Sequence, residues 1–223
     1  MNLWIFGHSS CTRHGLNDNN KSWMDVIESS KSVKQTFNLA EEGSDNLRIY
    51  HNLTVNLSSI SKDDIVIIGW SHPSRKSFVL DQSNQTHLNL LNQDVLVYNG
   101  EPVFFRSKNP RSDTWSIDSI KYIGRTYKQQ KGNPFFDAWF HNYYSLHESK
   151  LNFQGYLDSA KLSLNCCYLP FYFSKESVEE IQTAETVYYL DYILQTKNYI
   201  SKRDLHLNDT GHLDFAELLL QRL

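Results

Sequence analysis

Residues Asp63-Asp64-Ile65-Val66-Ile67-Ile68-Gly69 set four β-branched apolar side chains in one unbroken row. A half-buried strand alternates apolar and polar residues, whereas an unbroken row must be covered on both faces. That is the condition of a strand inside a parallel sheet flanked by helices. A second run, Leu3-Trp4-Ile5-Phe6 ended by Gly7, makes the same demand. Between the two runs Ser22 offers a helix cap, with Asp25 three residues on and Trp23, Val26 and Ile27 along one face. Residues 34–39 read as another strand, and Leu47, Tyr50, Leu53 and Leu57 recur at helical spacing after Gly43. The order β-α-β-α-β predicts a three-layer α/β/α domain on a flavodoxin-like parallel sheet of about five strands.

The pattern changes over residues 77–134, which are expected to be an insertion. Val95-Leu96-Val97-Tyr98, Asn99-Gly100 and Val103-Phe104-Phe105 predict a β-hairpin, because Asn-Gly suits a tight type I′ turn. Regularity returns with Trp139, Tyr143, Leu146, Lys150, Phe153, Leu157, Ala160 and Leu164, at steps of three and four, although Gly155 weakens that helix. Residues 164–173 then predict a fourth strand, 176–195 a helix and 198–200 a short fifth strand. A last helix is expected from near Gly211, with Phe215, Leu218 and Leu219 inward. No linker divides the 223 residues, so a single domain is expected.

A net charge of -3 gives no basic footprint for nucleic acid and no polybasic patch for a membrane. No stretch approaches the roughly 20 apolar residues that span a bilayer. The N-terminal apolar run is too short for a signal-peptide core. Three cysteines (Cys11, Cys166, Cys167) build no disulfide framework, and Cys166 and Cys167 read as small apolar residues of a buried strand. These features together predict a cytoplasmic location. They leave the oligomeric state open.

Gly7-His8-Ser9 stands at the carboxyl end of the first strand, the edge where parallel sheets gather ligands and catalytic groups. A serine there can turn its hydroxyl into a crevice or simply complete a turn. Near the other end, Asp204-Leu205-His206 precedes Leu207-Asn208-Asp209-Thr210-Gly211-His212. An aspartate two residues before a histidine can hold Nδ1-H and leave Nε2 free to take a proton. Asp209 or Asn208 can meanwhile cap the final helix. Arg75 lies past Pro73 in a loop at the same sheet edge. It suits a substrate carboxylate, phosphate or sugar hydroxyl as well as it suits solvent.

These blocks, in this order, resemble the SGNH/GDSL hydrolase family. Ile5-Phe6-Gly7-His8-Ser9-Ser10 matches its first block, with His8 where the family has aspartate. Asn38-Leu39-Ala40-Glu41-Glu42-Gly43-Ser44-Asp45-Asn46 matches the second. Ile67-Ile68-Gly69-Trp70-Ser71-His72 matches the third, with Ser71 in place of the family's oxyanion asparagine. Asp204-Leu205-His206 with Gly211-His212 matches the last. The resemblance implies Ser9 as nucleophile, His206 as general base and then acid, and Asp204 as its orienting carboxylate. It implies an oxyanion hole of Ser9, Gly43 and Ser71, with Trp70, His72 and Arg75 toward the substrate. The implied activity is cleavage of a carboxylic ester, with a short acyl or acetyl group, on a small ester or acylated carbohydrate. No cofactor or metal is implied.

Other readings of the same residues exist. Gly7-His8-Ser9-Ser10-Cys11 nearly meets the Gly-x-Ser-x-Gly elbow, but that elbow follows several strands and here one strand precedes the serine. A metal site drawn from His8, His72, His206, His212 and Asp204 has no His-x-x-x-His spacing behind it. An inactive relative that binds a glycan or joins an assembly is the alternative from another class. Tyr98, Phe104, Phe105 and Trp115 would serve it by stacking on sugars, or else pack as core.

Overall fold

The computed structural model describes residues 1–13, 16, 20–42, 44–73, 76–79, 95–98, 101–105, 120–123, 145–175, 186–201 and 204–223. In chain order the strands are β1 (Leu3–Gly7), β2 (Thr36–Asn38), β3 (Ile65–Trp70), β4 (Lys76–Val79), β5 (Val95–Tyr98) and β6 (Glu101–Phe105). They continue as β7 (Ile120–Ile123), β8 (Cys167–Tyr172), β9 (Val187–Tyr188), β10 (Tyr199–Ser201) and β11 (Asp204–Leu207). The helices are α1 (Trp23–Ser30), α2 (Asn46–Asn56), α3 (Leu146–Ser163), α4 (Tyr189–Thr196) and α5 (Asp209–Leu220).

Five parallel strands form the central sheet in the order β2-β1-β3-β8-β9. Counted within the sheet this is the 2-1-3-4-5 order of flavodoxin-like folds, so the three-layer expectation is met. Alternation along the strands divides the core in two. Leu3, Ile5, Ile65, Ile67, Leu169 and Phe171 face α1, α4 and α5, where Trp23, Ile27, Ile193, Phe215 and Leu219 cover them. Trp4, Phe6, Val66, Ile68 and Trp70 face α2 and α3, meeting Ile49, Leu53, Phe153, Leu157 and Ala160. The unbroken rows in the sequence are the two faces of this sandwich.

Two expected elements differ. Residues 176–195 do not make one helix: Val187 and Tyr188 pair with Phe171 and Tyr172 as β9, and α4 begins only at Tyr189. The fifth strand of the sheet is therefore β9. The strand expected at 198–200 is β10, which pairs antiparallel with β11 in a separate ribbon. Cys166 and Cys167 are also less buried than their apolar reading implies, Cys167 being exposed. Outside the central sheet, β4 pairs with β7 and β5 with β6, both antiparallel. Asn99 and Gly100 lie outside the described residues.

What matters for a site is how the sheet ends at β1 and β3. Gly7 and Gly69 are neighbours in register. A Cβ on either would collide with the Cys11 sulfur, and on Gly69 also with the Phe171 ring. Both positions are glycine because the chain after β1 folds straight back over the ends of these strands.

Candidate active site

After β1 the chain makes a single 3₁₀ turn, Ser9–Cys11, capped by His8 in an extended conformation. Cys11 N–H donates to the His8 carbonyl at 2.8 Å. The Ser10 N–H donates to His8 Nδ1 at 3.4 Å, and Ser10 Oγ lies 3.2 Å from Nε2. An accepting Nδ1 makes His8 a neutral imidazole with its proton on Nε2, which then donates to Ser10. Two distant elements fasten the turn. The Trp23 indole of α1 donates to the Ser10 carbonyl at 3.0 Å, and the amide of Asn38, the last residue of β2, donates to the Cys11 carbonyl at 2.9 Å. Burial pushes the Cys11 thiol up to about 12, against the lowering pull of its hydrogen bonds from Ser10, Gly69 and His8. It is a packing residue and not a nucleophile. Ser9 is half-buried. Its carbonyl accepts from the Thr12 N–H at 3.2 Å and the Thr12 hydroxyl at 2.8 Å. Among the described residues its own hydroxyl is spent on neither.

Strand β11 lies against this turn and brings half-buried His206 to the same end of the molecule. Leu207 anchors the strand: it is fully buried in the core beside α5, and its N–H donates to the Tyr189 hydroxyl at 3.3 Å. Alternation turns His206 away from the face that Leu207 uses. Asn208 then caps α5, accepting from the Gly211 N–H at 2.8 Å. The backbone of Asp204 opens β11, paired with Ser201, and nothing of its side chain is described. Gly43 and Arg75 lie outside the described residues.

Past β3, Ser71 is fully buried and its Oγ has no hydrogen-bond partner among the described residues. Its peptide is gripped by Asn46, whose Oδ1 accepts the Ser71 N–H at 2.8 Å and whose Nδ2 donates to the Ser71 carbonyl at 3.0 Å. His72 is half-buried and stands edge-on to Phe173 at 6.3 Å, while His8 meets the same ring at 5.6 Å. Phe173 therefore joins the ends of β1 and β3. Trp70 departs from its expected place at the substrate. It is fully buried on the α3 side, edge-on to Phe153, with its indole donating to the Tyr168 hydroxyl at 3.1 Å. Its ring is packed among core side chains on the α3 side and its one N–H is already given to Tyr168, so it has nothing left to offer a ligand.

His212 is a further buried histidine, 2% exposed. Its Nδ1 accepts the N–H of Trp23 at 3.4 Å, and its Nε2 is buried without a partner among the described residues. Burial holds its pKa down at about 4, with Arg13 and His206 pushing the same way and Asp209 and Asp25 against. Sequence reasoning missed the roles of Asn46, Phe173 and His212. Of these, Asn46 and His212 stood inside quoted motifs, which gave no sign of these contacts. No group of three or more possible metal ligands occurs among the described residues, and no helix among them is long and apolar enough to cross a membrane.

The same architecture occurs in the lipase Lip_vut3 from a goat rumen metagenome. The match covers 100% of this chain and 97% of that one, at 12% identity and a TM-score of 0.50. This chain has the fold of that lipase. A member of the lipolytic G-D-S-L family from Veillonella parvula DSM 2008 matches over 99% of this chain and 97% of that one, at 12% identity and a TM-score of 0.38. No protein-family model matches the chain, and no curated protein does.

Proposed function

We propose that the chain is a serine hydrolase of carboxylic esters, acting on a short acyl group through Ser9, His206 and Asp204. The observation that carries this reading is the packing of β11 against the Ser9–Cys11 turn. It brings the segment of a half-buried serine and the segment of a half-buried histidine together at the carboxyl edge of a parallel sheet. Chemistry follows from those groups. Ser9 Oγ attacks the ester carbonyl while His206 Nε2 takes its proton, and the Asp204 carboxylate holds His206 Nδ1-H. The tetrahedral oxyanion is met by the N–H groups of Ser9 and Gly43 and by the Ser71 hydroxyl. Collapse breaks the C–O bond, and the alcohol leaves with the proton from His206. Water then attacks the acyl-enzyme, giving its proton to His206, and the acid departs as Ser9 recovers its hydrogen.

In this reading the Ser9–His206 hydrogen bond forms with substrate in place, as catalytic hydrogen bonds of resting hydrolases are often long. His72 and Arg75 face the substrate in this reading, which takes a small ester or an acylated carbohydrate. The test is labelling with a fluorophosphonate, mapping of the modified residue, and turnover of p-nitrophenyl acetate. Labelling at Ser9 and its loss in Ser9→Ala, with kcat down by several orders of magnitude, is expected. Labelling at Ser10 or Ser71 would overturn the assignment. No labelling and no turnover in the folded protein would leave the binding module as the better account.

A further inference from the structure

We propose that Asn46 is a positioning residue of this site, fixing the Ser71 peptide so that the Ser71 hydroxyl is held ready for the oxyanion. This inference rests on the esterase reading. Strand β3 ends at Trp70, whose carbonyl still accepts a ladder bond from the Phe173 N–H at 3.0 Å. One residue further the sheet has nothing more to offer, and Pro73, two residues on, has no N–H to donate. Asn46 takes over where the sheet stops. Its carboxamide satisfies both halves of the Ser71 peptide, at 2.8 and 3.0 Å, in a wholly buried arrangement.

A primary amide is the one side-chain group that can do this, because it carries an acceptor and a donor side by side as a peptide does. Its base is firm. Asn46 is the first residue of α2, whose cap Asp45 accepts from the Arg48 N–H at 2.9 Å, and Arg48 pairs with Glu41. Glu41 N–H in turn donates to the Gly7 carbonyl at 3.1 Å, so the clamp is tied back to the strand that delivers Ser9.

With both bonds made, the peptide units on either side of the Ser71 Cα are held, and the direction of its Cβ is set. The buried Ser71 hydroxyl, without a partner among the described residues, is the remaining polar group. Its desolvation cost is already met in the folded state, which is the condition of a preorganised donor.

The experiment compares Asn46→Asp and Asn46→Ala with the wild type in two ways: kinetics on p-nitrophenyl acetate and amide exchange of Ser71. Asn46→Asp is nearly isosteric, so it keeps the packing but sets a carboxylate oxygen against the Ser71 carbonyl. Both variants are expected to lose Ser71 protection and to lower kcat by about 10²-fold, with KM held within about twofold. Asn46→Ala combined with Ser71→Ala should be no slower than Ser71→Ala alone, since both remove one donor. Wild-type kcat in either variant, fully multiplicative losses, or unchanged Ser71 protection would each overturn the positioning role. A lower melting temperature with unchanged kcat would make Asn46 merely structural. Failure of the esterase reading is seen separately, as a wild-type protein that turns over no ester.

Discussion

Asp204 and Asn46 sit at opposite ends of what residues reveal about themselves. Asp204 is set off by its spacing from His206, and its proposed role gives a sharp expectation. Asp204→Asn should leave the fold and melting temperature intact yet lower kcat by roughly 10⁴, because an amide favours the wrong imidazole tautomer. Steady-state kinetics beside a thermal melt checks this, and an unchanged kcat would reduce Asp204 to an ordinary residue of β11. Asn46 carries no comparable mark. At the first turn of a helix an asparagine reads as a cap or a solvated residue, and only the fold reveals that its amide meets a peptide 25 residues away. Trp70 misleads in the opposite direction: a tryptophan beside a candidate site suggests stacking, yet its place in the even-numbered face of β3 commits it to the core. Local spacing is what singles out candidate site residues in the sequence, whereas contacts made across the sheet, such as those of Asn46 with Ser71, leave no mark there.

Among elements, α1 and α5 are joined by an unusual tie. Near the start of α5, buried His212 accepts from the first N–H of α1, and it does so only while neutral. Its pKa, about 4 when folded, lies below the ordinary 6.5. Between those values the unfolded chain binds a proton that the folded chain does not. Stability therefore rises with pH through that window and is lost as pH falls from 6.5 toward 4, by on the order of 3 kcal/mol. His212→Asn keeps an acceptor where Nδ1 stands and removes the titration. Urea melts at pH 7.5, 6 and 5 should give this variant a flatter profile than the wild type, even if its stability at pH 7.5 is lower. An equal slope in both would mean that other groups carry the acid dependence. The same scale shows where periodicity fails as a signal. The capping box of Ser22 and Asp25 forms as expected, because caps are local chemistry. Strand β9 is two residues long, too short for any alternation to appear, and Tyr188-Tyr189 passes unnoticed from strand into helix.

Across the whole molecule, the parallel sheet was written in the sequence because burial on both faces requires the unbroken rows of β1 and β3. The order β2-β1-β3 needed only short crossovers through α1 and α2, whereas β3 reaches β8 across residues 71–166, which include α3. Residues 77–134 stand apart from that logic, since β5 and β6 form a ribbon of their own and β4 pairs with β7, none of them in the five-stranded sheet. Strand β4 nevertheless starts six residues past β3, at the end of the sheet where Ser71 lies. Excursions from that edge are where substrate-binding loops are built, and they set which substrates reach a site more than what the site does. Replacing residues 80–119 by a short Gly-Ser linker should therefore leave a folded protein that is labelled at Ser9 by a fluorophosphonate. Its kcat/KM for p-nitrophenyl acetate is expected to stay within a few-fold of the wild type. KM for a larger acylated oligosaccharide should rise much more, because a small ester needs the oxyanion hole and little else. A deletion that abolished labelling while the far-UV spectrum and melting transition persisted would show that the segment completes the catalytic centre itself. Equal losses on both substrates would place it in positioning Ser71 and not in recognition, since every substrate shares the oxyanion and only the larger ones reach beyond it.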